Sequence, residues 1–159
     1  MNELLQFRRC LGHFATGVTI VSCRGSDGQP TGITANSFSS VSLEPPLVLW
    51  NIAKVSRSFA EFIDAEYFGI NVLHAGQEHL SAHFARSDDH LFADIPNELS
   101  GNGVPRLKDS LAWLECRTRA VHDSGDHYIV VGEVVDYSAN SGEPLLFYKG
   151  QYERLRKPE

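Results

Sequence analysis

Apolar residues recur along the chain in two rhythms. Leu4, Phe7, Leu11 and Phe14 return every three or four positions, which predicts an opening amphipathic helix ended by Gly17. Residues 18–24 (VTIVSCR) are dense in β-branched side chains and predict a strand. The turn Ser26-Asp27-Gly28-Gln29 leads to a second strand at 31–35. Residues 36–42 are polar and hydroxyl-rich, Glu44-Pro45-Pro46 breaks the chain, and 47–52 (LVLWNI) predicts a buried strand. A second helix starts near Ser58, where Glu61 three residues on completes a capping-box pattern and Phe59, Phe62 and Ile63 form the apolar stripe. A strand over 67–73 (YFGINVL) and a short helix over 77–85, with Leu80 and Phe84 one turn apart, follow.

Residues 87–106 are weakly periodic and end in Ser100-Gly101-Asn102-Gly103, which predicts a long loop. Such loops in compact domains usually serve as lids or binding segments. Beyond it the pattern is β. Ala112, Leu114, Cys116, Thr118 and Ala120 alternate with Trp113, Glu115, Arg117 and Arg119, predicting a half-buried strand with one polar face. Ser124-Gly125 turns the chain into a near-continuous apolar strand over 128–137, and 145–152 predicts another. About seven strands against three short helices, without repeats, predict a mainly β fold: an antiparallel barrel with flanking helices.

Composition narrows the function. The 159 residues, 42% apolar, suit one domain over residues 1–159 and exclude disorder. Fourteen Lys+Arg against twenty Asp+Glu give a net charge of -6, which argues against nucleic acid and against a polybasic membrane surface. Cys10, Cys23 and Cys116 are odd in number and form no CxxC, so they read as reduced thiols of a cytoplasmic protein. The first nine residues lack the apolar stretch of a signal peptide, and no run approaches the ~18 residues of a membrane span.

Three segments carry candidate chemistry. Residues 34–42 (TANSFSSVS) crowd short donors and acceptors that suit the edge of a planar heterocycle, or equally a polar stretch that hydrogen-bonds its own backbone. Lys54-Val55-Ser56-Arg57-Ser58 joins two cations and two hydroxyls to a helix start, a set that matches a phosphate or an ordinary capped helix. Gly125-Asp126-His127 puts a histidine beside a turn, where it can position a substrate ring or simply decorate a hairpin. His79 and His83 have a chelating i, i+4 spacing with Asp88, Asp89 and His90 nearby, but no HExxH and no evident third ligand, so a polar helix face is the reading and no metal is expected. GxGxxG, GxxxxGK[ST] and GxSxG are all missing, which leaves Rossmann, P-loop and α/β-hydrolase chemistry unsupported.

Five segments in the same order carry a resemblance. They are Phe14-Ala15-Thr16-Gly17-Val18-Thr19, residues 32–46 (GITANSFSSVSLEPP), residues 54–58 (KVSRS), Gly125-Asp126-His127, and residues 144–152 (PLLFYKGQY). Over about residues 7–152 the chain resembles the short-chain flavin reductases with an FMN-binding split barrel, the reductase components of two-component flavin monooxygenases. The resemblance implies a homodimeric split barrel that binds FMN or FAD, oxidises NADH (NADPH being possible) and hands reduced flavin to a monooxygenase partner. It sets Thr34, Ala35, Asn36 and Ser37 along the isoalloxazine and ribityl chain, and backbone groups of Asn51, Ile52 and Ala53 beside them. It gives Arg57 and Ser58 the phosphate, His83 and Phe84 a further flavin contact, and His127 with Tyr148, Lys149 and Gly150 the nicotinamide. Asp89-His90-Leu91-Phe92 stands where the family's lid often has Asp-Lys-Phe. The implied reaction moves a hydride from nicotinamide C4 to flavin N5. Rival readings are a flavoprotein that reduces a corrinoid, quinone or metal complex, a flavin binder without turnover, and a barrel for an apolar ligand.

Overall fold

The computed structural model describes residues 2–88 and 91–159. In chain order the elements are α1 (Glu3–Leu11), β1 (Thr16–Gly17), β2 (Thr19–Arg24), β3 (Pro30–Ala35), β4 (Ser39–Leu43), β5 (Pro46–Ala53), α2 (Phe59–Asp64) and β6 (Tyr67–Val72). A 3-10 turn (Ala75–Gln77) then leads into α3 (Glu78–Phe84), followed by β7 (Asn97–Leu99), β8 (Pro105–Leu107), β9 (Ala112–Ser124), β10 (His127–Ala139), β11 (Leu146–Tyr148) and β12 (Gln151–Glu153). Seven strands form one sheet in the order β3-β2-β6-β9-β10-β5-β4; β1-β11-β12 and β7-β8 form two small sheets. Every strand pairing is antiparallel.

The large sheet curls because distant strands share one core. Ile33 and Ala35 of β3 pack on the same cluster as Trp50 and Ile52 of β5, together with Val21, Phe68, Cys116 and Val130 from the strands between. Phe62 of α2 joins this cluster and meets Trp50 edge-on at 5.0 Å between ring centroids. Each such side chain removed from water stabilises the fold by about 1.5–3 kcal/mol. The result is the split antiparallel barrel that the sequence implies. A second cluster, with Ile20, Leu80, Phe84, Phe92, Leu107 and Leu145, holds α3 and the following chain against the outer face of β2. That is why β2 is buried from Thr19 to Cys23 without alternation.

Several expectations are corrected by contacts remote in sequence. The first helix ends at Leu11, capped by Gly12 rather than carried to Gly17, and none of its described residues is buried. The capping box at Ser58 is not formed: Glu61 instead accepts from the Ser26 backbone N–H at 2.7 Å. Residues 87–106 contain the β7–β8 hairpin, whose three-residue strands are too short to show a rhythm. It is fixed by Asn71, whose Oδ1 accepts from Leu107 N at 2.8 Å and whose Nδ2 donates to Ile20 O at 2.9 Å. The hairpin covers Trp113 and Glu115, so the start of β9 is buried on both faces; Ser100 donates to Glu115 at 2.5 Å. Residues 145–152 are a hairpin rather than one strand, turned by Lys149 and Gly150 at φ 48° and 79°. No helix among the described residues is long and apolar enough to cross a membrane.

Candidate functional site

The curl of the sheet brings β3, the end of β5, the start of α2 and the end of α3 around one cleft of about 470 Å³. That size suits a small-molecule site. Of the flavin residues that the resemblance implies, Thr34, Ala53, Arg57, Ser58 and Phe84 line it. Gly32 forms the β3 wall because nothing larger fits: a Cβ there would sit 2.6 Å from Phe92 and 2.9 Å from Phe84.

The cationic end is built from side chains. Arg57 lines the cleft and donates to the Ser87 carbonyl at 3.1 Å, while the Ser56 and Ser58 hydroxyls lie 3.4 Å apart. The Phe59 N–H goes to the Ser56 carbonyl at 3.1 Å, so the donors offered to an anion here are hydroxyls and guanidinium more than the short helix. Lys54, grouped with Arg57 in the sequence reading, departs: it pairs with Asp123 at 2.6 Å and lies over Tyr128. That hydrogen bond raises its pKa. Arg86, unmarked in the sequence, lines the cleft instead and pairs with Asp88.

The 34–37 segment is anchored at both ends. Thr34 Oγ1 donates to the Ser81 carbonyl at 2.6 Å, and the Ala35 carbonyl accepts from Thr19 Oγ1 at 2.7 Å. Ser37 Oγ accepts from Asn51 N at 2.9 Å and donates to Asn51 O at 3.2 Å. Asn36 stays exposed between them. Ala35, Asn36, Ser37, Asn51, Ile52 and His83 are not among the cleft-lining residues. Ile52 points into the core at 1% exposure, which leaves its backbone alone for any ligand. Asn51 Oδ1 is a buried acceptor with no partner among the described residues.

His83 Nε2 lies 2.5 Å from the carbonyl of Leu91, itself a cleft residue, and the His83 ring meets Phe84 edge-on. His127 pairs in register with Ala53, beside the cleft, and its Nδ1 lies 2.7 Å from Asp126. This hydrogen bond holds the Asp126 carboxyl below its ordinary pKa. Tyr148, Lys149 and Gly150 lie elsewhere: Lys149 N donates to Gly12 O at 2.9 Å, so their turn rests on the end of α1. No trio of metal-ligating side chains is assembled among the described residues; Asp89 and His90, considered above as ligands and lid residues, lie outside them. Sequence reasoning missed Asp27, Gln29, Glu61 and 85–88 as cleft residues; the only signal was a cation and a hydroxyl, Arg86-Ser87, just past α3.

These groups fit a phosphorylated heterocycle. Arg57 and the Ser56 and Ser58 hydroxyls offer donors to an anion, and the small Ala53 leaves room beside them for a ring. Comparison with known proteins gives the family. Residues 11–156 match the model of the flavin reductase like domain, and the chain belongs to that family. It is 47% identical to FMN reductase (NADH) SmoA of Agrobacterium fabrum, over 95% of this chain and 86% of that one. It is 41% identical to the reductase component of the flavin-dependent trigonelline monooxygenase of Acinetobacter baylyi, over 96% of this chain but only 49% of that longer protein. Among solved structures, the NADH:FAD oxidoreductase SgcE6 of Streptomyces globisporus in complex with NAD and FAD fragments superposes with a TM-score of 0.91 at 38% identity, covering 97% of this chain and 93% of that one.

Proposed function

We propose that this chain is an NADH-dependent flavin reductase that delivers reduced FMN or FAD to a partner monooxygenase. NADPH is the alternative hydride donor, and the enzyme works as a homodimer in the cytoplasm. The observation that carries the reading is the cleft itself, which gathers Thr34, Ala53, Arg57, Ser58 and Phe84 from four parts of the chain in a member of this family. Bound flavin supplies the hydride-accepting ring, as cofactors commonly carry the hard chemistry.

The protein's part is to bind and orient. Arg57, Ser56 and Ser58 grip the phosphate with charge-assisted hydrogen bonds. The 34–37 segment, pinned by Ser81 and Asn51, presents the exposed Asn36 amide and backbone groups to the ring edge. The backbone of 51–53 and Phe84 close the wall; His83 supports it by holding Leu91. His127, with Asp126 on its Nδ1, covers the nicotinamide at the rim. The resemblance also gives Tyr148, Lys149 and Gly150 to the nicotinamide, although their turn rests on the end of α1, away from this cleft. Two rings held in contact turn an encounter between solutes into a local event, which accounts for several kcal/mol of barrier. No side chain is assigned as acid or base in this transfer.

The test is NADH consumption in air with and without added flavin. A rate that rises with free FMN or FAD is expected. Turnover only with another acceptor, or a yellow protein that never consumes NADH or NADPH, contradicts the proposal.

A further inference from the structure

The cleft does not stop at Arg57 and Ser58. One helical turn along α2 stands Glu61, and the β2–β3 turn brings Asp27 to the same end; both line the cleft. Their carboxylates converge. Asp27 Oδ1 and Glu61 Oε2 lie 3.0 and 3.2 Å from the point where a side chain at Gly25 would begin. Each is fixed by a backbone N–H, Asp27 by Gln29 at 2.9 Å and Glu61 by Ser26 at 2.7 Å. Residues three apart on a helix are neighbours, so this acidic end adjoins Ser58 directly.

Building on the flavin reading above, we propose that Asp27 and Glu61 set the choice of flavin, favouring the mononucleotide FMN over the dinucleotide FAD. FMN ends at its phosphate, so its negative charge stops among Arg57, Ser56 and Ser58. FAD continues through a second phosphate into a ribose and adenine. Following the cleft carries that second anion against two fixed carboxylates, where like charges repel. Turning out of the cleft forfeits contact for the whole adenosine half. Either route weakens FAD, and the carboxylates act as the repulsive element that specificity commonly needs.

The experiment is a fluorescence titration of the purified full chain with FMN and with FAD, for wild type, Asp27→Asn and Asp27→Asn/Glu61→Gln. Both amides keep an oxygen for the Gln29 and Ser26 N–H groups, and a thermal melt checks folding; the single variant in the exposed turn suffices if the double variant unfolds. Wild type is expected to bind FMN about tenfold tighter than FAD. The ratio should narrow severalfold in the variants, and should also narrow for wild type at high salt, which screens the repulsion. FAD bound as tightly as FMN by wild type, or a ratio unmoved by the substitutions, overturns this inference alone. Binding of neither flavin overturns it together with the reading it rests on.

Discussion

Two hollows among the described residues are similar in size and opposite in character. The cleft, about 470 Å³, is lined by hydroxyls, guanidinium groups and carboxylates whose positions are fixed by named hydrogen bonds. The other, about 410 Å³, runs over β4, β5, β9 and β10 and is walled by Phe38, Leu43, Leu47, Trp113, Val134 and Tyr137. Leu43 is 93% exposed at its edge and Tyr137 75%. A small polar ligand needs convergent, preorganised donors and acceptors, which only the cleft offers. An apolar sheet face needs area to be covered, which suits a second copy of the chain in the proposed homodimer. Size alone distinguishes nothing here; the placing of polar atoms does.

Substitutions separate the two. Arg57→Ala should weaken FMN binding by about 10–100-fold, the worth of a hydrogen bond to a charged group, while leaving the thermal midpoint nearly unchanged. A fluorescence titration beside a melt reads both. Tyr137→Asp in the apolar hollow should do the reverse, shifting sedimentation from dimer toward monomer by about 2 kcal/mol of association energy, with FMN affinity kept. A wild-type chain that sediments as a monomer removes the homodimer from the proposal. His127→Ala, on the cleft rim, should raise KM for NADH about 3–10-fold through one lost hydrogen bond and leave FMN affinity intact. Equal losses for both ligands would remove its nicotinamide role.

The core between the hollows responds to pH rather than to a ligand or a partner. Burial pushes the Cys23 and Cys116 thiols up to about 12. The unfolded chain loses those protons near pH 9 while the native one keeps them, so stability falls as pH rises from about 9 toward 12. Each thiol contributes a slope of about 1.4 kcal/mol per pH unit in that window. Denaturant melts of Cys23→Ala against wild type across the window should show a shallower loss for the variant. Exposed Cys10 alone should react with a thiol reagent at neutral pH.

Much of this was legible wherever the deciding contacts are local. A β-branched run marked β2 and an apolar run marked β5, and hydroxyls with cations at 54–58 marked the end of the cleft that holds Arg57 and Ser58. The pattern failed where a distant partner outbid the near one. Glu61 serves Ser26 rather than Ser58, and Lys54 leaves the 56–58 group for Asp123. Trp113 counted as part of a polar face, yet it fills the space left by Gly69, where a Cβ would meet its ring at 2.1 Å. The aromatic Phe84–Phe92 contact, 4.7 Å between centroids, likewise depends on Gly32, more than fifty residues away in the chain, which no spacing announces.

The phosphate grip at Arg57 and Ser58 is tested most directly by calorimetric titration with FMN and with riboflavin, which differs only in lacking the phosphate. FMN should bind at least about tenfold tighter, with the difference abolished in Arg57→Ala. Riboflavin binding as tightly as FMN, or heat from neither, would contradict it.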